Sequence, residues 1–232
     1  MRLRTFPFPS TIQPSGRRLD QELDAALAEF EAQGVQSWVL DLRDNGGGSG
    51  LFAEALLGRF VAPGTLADHE SDASGHLAED TVDGHLFPVQ RPLAVLVNER
   101  SASASEMTAS TFREAGRALL VGQRTEGALA NAVIWPVPEG GRIEIGFARV
   151  TTGIRDTTVD GVGVPVDVDV RNRTPADYAA GRDPQLAAAV EALQAGQVPA
   201  PQSLESGTAG NQADLQRLFG PLAQALSGSA AA

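Results

Sequence analysis

Three short apolar runs, each followed by polar turn residues, constrain the fold of this 232-residue chain most. They cover residues 37–42, 93–97 and 118–122. Helical periodicity follows the first two runs, at residues 51–60 and 103–115. Buried strands that alternate with helices pair in parallel through right-handed crossovers. The sequence therefore predicts an α/β domain in which the three runs are neighbouring buried strands.

Further helices and strands flank these runs. Apolar residues recur at helical spacing over residues 17–33, which predicts an amphipathic helix. Asp183-Pro184 predicts another helix start, because aspartate is a good N-cap and proline suits the first helical position. Short hairpin strands are expected in residues 62–91, and further strand pieces in residues 130–170.

The domain organisation follows from shifts in composition. Residues 1–195 predict one domain, and residues 196–210 predict a linker because they are rich in Gly, Pro, Ser and Gln. Residues 211–232 carry leucines at helical spacing, which predicts an amphipathic helix or tail that docks on its own domain. The abrupt strand-like start at residues 1–8 predicts that the chain begins partway through a larger protein.

Charge and residue usage exclude several functions. The net charge is −11 and no basic stripe is present, so nucleic acid and anionic membranes are not expected partners. No apolar run approaches the ~20 residues of a membrane span. The chain has no cysteine, which excludes thiol catalysis, disulfides and cysteine-ligated zinc. All 18 basic residues are arginine, so no lysine of this chain can act as a general base.

A glycine loop, residues 45–50, separates the first strand from the next helix. Glycines at this place let the backbone turn sharply and present bare N–H groups, which suit a phosphate or an oxyanion. A plain tight turn explains the same residues. The Gly-Lys-Ser/Thr ending of a phosphate-binding loop is missing, and the spacing does not match the dinucleotide fingerprint.

A serine cluster lies between the second strand and its helix, in the sequence Ser-Ala-Ser-Ala-Ser-Glu of residues 101–106. Serine at a helix N-terminus is most often an N-cap. It can also be a nucleophile, because a strand-to-helix turn exposes the hydroxyl beside N–H groups. Ser105 followed by Glu106 suits the cap, and Ser103 is then free.

These motifs occur in an order that resembles the tail-specific, or C-terminal processing, serine peptidases and the related core of the tricorn protease. The resemblance spans residues 1–195 and rests on Asp41 to Gly48, Val95 to Asn98, Ser101 to Glu106, Gly116 to Gly122, Thr125 to Gly127 and Gly161 to Pro165. It implies a crotonase/ClpP-like core of stacked, mostly parallel strands with flanking helices and small β hairpins. It also implies a PDZ-type region upstream, which this chain lacks.

The resemblance implies a specific site. Ser103 matches the family nucleophile, and the N–H groups of Ala104 and Gly48 match the oxyanion hole, with Gly47 as the alternative to Gly48. Asp160 falls near a glutamate that orients the base in the tricorn-like branch, although a turn or cap aspartate explains it equally well. The family needs no cofactor.

The general base is the open part of this site. The tail-specific branch has a lysine and a glutamine at the positions of Ala128 and Ala132, so the Ser/Lys dyad is missing. All three histidines lie in the acidic stretch 62–91, where hairpin positions are expected. A metal site built from His69, Glu70, Asp72 and His76 has no recognised ligand spacing, so no metal is predicted. The base is therefore expected upstream of this chain.

The sequence thus predicts a serine peptidase core of the tricorn-like branch that acts on protein or peptide substrates. A non-catalytic relative that binds a peptide or apolar ligand is the main alternative, favoured by the alanines at positions 128 and 132. An enzyme that transfers acyl groups or hydrolyses a small carbonyl substrate is a weaker one. A homo-oligomer is compatible with these features, and the resemblance favours a location outside the cytoplasm.

Overall fold

A computed structural model describes residues 1–8, 11–13, 15–83 and 89–197. The elements in chain order are α1 (Leu19–Ala32), β1 (Trp38–Asp41), α2 (Gly50–Leu57), β2 (Leu66–Asp72), β3 (Leu77–Thr81), β4 (Leu93–Val97), α3 (Ala104–Glu114), β5 (Leu119–Gly122), β6 (Ala130–Pro136), β7 (Arg142–Thr152), β8 (Val168–Asp169), α4 (Pro175–Ala179) and α5 (Pro184–Gln194). A short 3-10 turn at Pro138–Gly140 joins β6 to β7.

The three apolar runs form the centre of a parallel sheet with the order β1-β4-β5-β8. Every residue of β4 and β5 is buried, because both faces of this sheet are covered. Val95, Val97 and Leu120 belong to the larger core, which includes residues of α1, α2 and α3. Ala94, Leu96 and Val121 face the other way and pack against α5. The predicted parallel pairing of these three strands is confirmed.

A second sheet is antiparallel, with the order β3-β2-β7-β6. It joins the hairpin expected in residues 62–91 to the strand pieces expected in residues 130–170. The hairpins predicted here are present as β2–β3 and β6–β7, and the structure joins them into one sheet. The pairing of β2 with β7 links segments about 80 residues apart, as in Asp68 with Thr152. Such pairing leaves no local signal in the sequence.

The other predicted elements can be compared directly. The mixed α/β class is confirmed, as are the helices near residues 17–33 and after Asp183, whose side chain accepts a hydrogen bond from the Leu186 N–H. No helix in the described part of the chain is long and apolar enough to cross a membrane. The linker predicted after residue 195 lies almost wholly outside the described residues, and the C-terminal amphipathic stretch lies entirely outside them.

Candidate active site

Ser103 lies at the turn between β4 and α3, as the N-cap residue of that helix. Its backbone has φ 54° and ψ −121°, a conformation that residues other than glycine adopt rarely. Such strain persists only where the surroundings enforce it, and it is typical of a nucleophile held on a sharp strand-to-helix turn. The Ser103 hydroxyl faces the first turn of α3 without closing a cap hydrogen bond, and the residue is only partly buried.

The two flanking serines have structural hydrogen bonds instead. The Ser101 hydroxyl accepts a hydrogen bond from the Asn98 N–H and donates one to the Leu42 carbonyl. The Ser105 hydroxyl donates to the Asn45 carbonyl at 2.8 Å. The expectation that Ser105 caps α3 was therefore wrong, because its side chain points into the protein toward the glycine loop. The N-cap position of α3 belongs to Ser103 instead, with Glu106 accepting from the Ser103 N–H.

The glycine loop packs directly against Ser103. A Cβ atom placed on Gly47 would lie 2.6 Å from the Ser103 Cβ and 2.8 Å from the Ala102 carbonyl oxygen, so only glycine fits. The Gly47 N–H donates to the Asn45 side chain at 2.9 Å. Gly48 is exposed, and its backbone is fixed through its neighbours, which hydrogen-bond to Phe6. Gly47 and Gly48 are the two glycines that the sequence suggested for the oxyanion hole. The hydrogen bond to the Asn45 side chain is made by the Gly47 N–H and not by the Gly48 N–H.

Glu106 anchors the serine turn from within. The residue is 0% exposed, and each of its carboxylate oxygens accepts two hydrogen bonds. Oε1 accepts from the Thr125 hydroxyl and the Gly127 N–H, and Oε2 accepts from the N–H groups of Ser103 and Ala128. The sequence identified Glu106 only as part of a motif. Its buried anchoring contacts reach residues about 20 positions away and have no local signal.

Ala128, which the resemblance matches to the family lysine, is next to Ser103 and has no side-chain group that can take a proton. The Ala128 carbonyl accepts a hydrogen bond from the Ser103 N–H at 3.1 Å. Ala128 itself is exposed, and so is Ala132 on β6. A longer side chain at position 128 therefore has space beside Ser103, whereas alanine cannot accept a proton.

Arg43 supports the start of the glycine loop. Its guanidinium makes paired hydrogen bonds to the carboxylates of Asp41 and Asp183. Burial opposes the charge of Arg43, but these hydrogen bonds outweigh burial and raise the pKa of Arg43 above its usual value. The contacts tie β1 to the start of α5. The sequence did not point to this network, since Arg43 and Asp183 are 140 residues apart.

Among the described residues, the structure gives no contact of His69, His76 or Asp160 with Ser103. His69 lies on β2, with Nε2 2.8 Å from the Gly153 carbonyl, and His76 is exposed in the turn before β3. Asp72, one member of the metal set that the sequence did not support, accepts hydrogen bonds from the N–H groups of Ser74 and His76 in its own turn. His85 lies outside the described residues. Asp160 is exposed on a turn that packs against Gly127.

Taken together, these contacts present one hydroxyl and nearby N–H groups at a helix N-terminus. An arrangement of this kind can bind a carbonyl oxygen and stabilise the negative charge that develops on it. The hydroxyl needs a neighbouring group to take its proton.

Comparisons with known proteins identify the family of the chain. Residues 2–170 match the family model of Peptidase family S41. Carboxyl-terminal-processing peptidase 2, chloroplastic, of Arabidopsis thaliana is 32% identical over 154 residues, which cover 66% of this chain and 29% of that protein. The carboxyl-terminal-processing protease of Synechocystis sp. is 33% identical over 132 residues, which cover 57% of this chain and 30% of that protein.

Solved structures give the same result for the fold. The photosystem II D1 C-terminal processing protease matches with a TM-score of 0.61 at 29% identity, over 73% of this chain and 41% of that chain. A putative peptidase from Parabacteroides merdae matches with a TM-score of 0.65 at 22% identity, over 82% of this chain and 61% of that chain. The chain thus spans about three tenths of the length of the two curated relatives.

Proposed function

Because the chain belongs to peptidase family S41, we propose that residues 1–195 are a serine peptidase core with Ser103 as the nucleophile. The observation that carries this proposal is the strained Ser103 turn in contact with the glycine loop. The hydroxyls of Ser101 and Ser105 donate hydrogen bonds to backbone carbonyls. Ser103 is therefore the serine of this motif whose hydroxyl is available as a nucleophile. Its assignment to the tricorn-like branch stays a prediction.

The oxyanion hole in this proposal consists of the N–H groups of Ala104 and Gly48. Ala104 is the first residue of α3, where a backbone N–H has no partner within the helix and the helix dipole favours negative charge. The hydrogen bond from the Gly47 N–H to Asn45 supports Gly48 over Gly47. Removal of one such donor typically costs about 10²–10³-fold in rate.

The reaction begins when the Ser103 Oγ attacks the scissile carbonyl and loses its proton to a base. The carbonyl oxygen then carries the charge between the two N–H groups. We propose that the base comes from outside this chain, because Ala128 and Ala132 cannot take a proton, His69 contacts the Gly153 carbonyl and His76 is exposed in a turn. Asp160 stays a candidate for orienting that base, supported only by its turn against Gly127.

The relatives are named for carboxyl-terminal processing, and we propose the same substrate class here: the C-terminal part of a polypeptide. A location outside the cytoplasm belongs to this proposal. The alternative is a non-catalytic relative that binds a peptide. One observation favours it: the residue beside Ser103 is Ala128, whose side chain cannot accept a proton.

A fluorophosphonate probe tests the proposal on the 232-residue chain. Labelling is expected to be slow and confined to Ser103, so that Ser103→Ala abolishes it while Ser74→Ala, in an exposed turn, leaves it unchanged. A form extended upstream of residue 1 is expected to label faster and to cleave a peptide substrate.

Two outcomes contradict the proposal in different ways. Labelling that survives Ser103→Ala refutes the nucleophile. Rapid Ser103-dependent proteolysis by residues 1–232 refutes the external base and points to a histidine within the chain. A protein that never labels but binds peptides supports the non-catalytic alternative.

A further inference from the structure

Three carboxylates meet on one face of the β2–β3 hairpin. Asp68 and Glu70 are two residues apart on β2, so their side chains point to the same face. Asp80 lies directly opposite Asp68 on β3. One oxygen from each of the three carboxylates can be chosen so that all lie within 4.8 Å of one another.

Asp68 is the unusual member of this cluster. It is only 4% exposed, and its Oδ1 is buried without any hydrogen-bond partner. Glu70 accepts a hydrogen bond from the Asn131 side chain, and no arginine or histidine in the described ranges forms an ion pair with any of the three carboxylates. A buried carboxylate without a partner is costly, so a proton or a cation must compensate its charge.

The surrounding charges make this cost larger. Burial first, then the charges of Asp80, Glu70 and Glu54, raise the pKa of Asp68 to about 7, and His69 opposes the shift. Burial also raises the pKa of Glu70 and of Glu54 on α2, with the neighbouring acids adding to both. At neutral pH the cluster therefore carries negative charge that the described side chains do not neutralise.

We propose that Asp68, Glu70 and Asp80 bind a hard divalent cation, for which Ca²⁺ is the probe. Three carboxylates offer only oxygen, which suits Ca²⁺, Mg²⁺ and Mn²⁺ and does not suit a metal that prefers histidine or cysteine. Ligand oxygens on opposite sides of a Ca²⁺ ion lie about 4.6–5.2 Å apart, twice the Ca–O distance, and the cluster fits within that span. Water completes the coordination.

This site differs from the histidine-containing set that the sequence suggested, and it does not depend on the function proposed for Ser103. The bound cation would join β2 to β3 and remove the repulsion between opposed aspartates. Its first effect is therefore on the stability of the second sheet.

Calorimetric titration of the full chain with CaCl₂ at pH 8, after treatment with a chelator, tests the proposal. The expected result is one site per chain with a dissociation constant of roughly 10 μM to 1 mM. Asp68→Asn is expected to weaken binding at least ~10-fold. Glu79→Gln is the matched control, since it removes the same charge from the neighbouring position of β3, where the side chain faces His69.

Thermal unfolding provides the second measurement. In chelator at pH 8, Asp68→Asn is expected to melt above the wild type, because it removes a buried charge. In excess Ca²⁺ the order should reverse, because only the wild type gains stability from the ion. Asp80→Asn replaces Asp68→Asn if the latter does not fold.

The proposal is wrong if the wild type binds no Ca²⁺, Mg²⁺ or Mn²⁺ at millimolar concentration. It is also wrong if the Asp68→Asn and Glu79→Gln variants lose binding equally, which would indicate diffuse attraction to an acidic surface.

Discussion

The serine turn and the second sheet treat buried polar groups in opposite ways. In the serine turn, Glu106 is fully buried and accepts four hydrogen bonds, and the hydroxyls beside Ser103 are all paired. In the second sheet, Asp68 is nearly as buried and its Oδ1 has no partner. The buried carboxylate of the serine turn is fully hydrogen-bonded by the protein itself. The buried carboxylate of the second sheet needs a proton or a cation to compensate its charge.

The contrast extends to the surfaces of the two regions. Residues of the β6–β7 hairpin that follow Ala128 are exposed, including the large apolar side chains of Val133, Ile134, Trp135, Ile143, Ile145 and Phe147. The Ser103 turn is therefore fixed by buried contacts, and the contacts that position 128 adds to it come from the backbone carbonyl and N–H of Ala128. If Ser103 is the nucleophile, as proposed, the geometry of its turn does not depend on the side chain that supplies the base.

The largest expected effect is on the rate at which Ser103 is labelled, when a side chain that can act as a base is introduced at position 128. The double variant Ala128→Lys/Ala132→Gln places the family dyad beside Ser103 and should raise the rate of fluorophosphonate labelling about 10²–10⁴-fold, the usual contribution of general base catalysis. Stopped-time labelling with gel readout measures this rate.

The controls separate a dyad from a general effect of charge. Val133→Lys adds the same charge at an exposed place on β6 and should leave labelling unchanged. Adding Ser103→Ala to the double variant should abolish the gain. Equal rates for the wild type and the double variant would show that a side chain at position 128 does not reach Ser103.

The next largest effect is a loss of stability, and it tests whether the four hydrogen bonds to Glu106 hold the serine turn. Glu106→Gln replaces an oxygen that accepts two N–H or O–H donors with an amide that is itself a donor, so buried donors face each other. We expect a loss of about 3 kcal/mol in the free energy of unfolding, measured by urea denaturation.

Glu126→Gln is the control for that variant, since Glu126 is exposed in the same segment. Its effect should stay within about 0.5 kcal/mol. If Glu106→Gln is equally mild, the four hydrogen bonds do not hold the turn.

A smaller effect is expected where the glycine loop meets Ser103. Gly47 has φ 97°, and a methyl group there would collide with the Ser103 side chain and the Ala102 carbonyl. Gly47→Ala should therefore cost about 2 kcal/mol of stability and also slow labelling of Ser103. Gly46→Ala is the matched control, because a methyl group on Gly46 meets no atom within 4 Å. Similar losses for both variants would mean that the loop does not pack on Ser103.

The sequence predicted most of the structure around the serine turn and little of the second sheet. The strands and helices around Ser103 were found because apolar runs, glycines and the Asp183-Pro184 cap are local signals. The choice of Ser103 over Ser105 followed from the family motif, whereas the reason that Ser105 is buried depends on the carbonyl of Asn45, 60 residues away. The acidic cluster was missed because its members meet only when β2 pairs with β3 and β2 packs against α3. The alternation of polar and apolar residues along a single strand does not show which strand it pairs with.

The smallest expected effect is a pH dependence that belongs to the second region alone. The pKa of the Asp68 carboxyl is raised to about 7 by burial and by its acidic neighbours, against 3.8 in the unfolded chain. Between these values the folded protein keeps a proton that the unfolded chain has released, so stability falls as pH rises. In chelator, the wild type should lose roughly 1 kcal/mol of unfolding free energy per pH unit between pH 5 and pH 6.5. Asp68→Asn should show less than half of this slope in urea titrations at each pH, while Glu79→Gln should keep it. Equal slopes for the wild type and Asp68→Asn would mean that Asp68 is compensated in the folded protein as fully as Glu106 is, and the contrast between the two regions would fail.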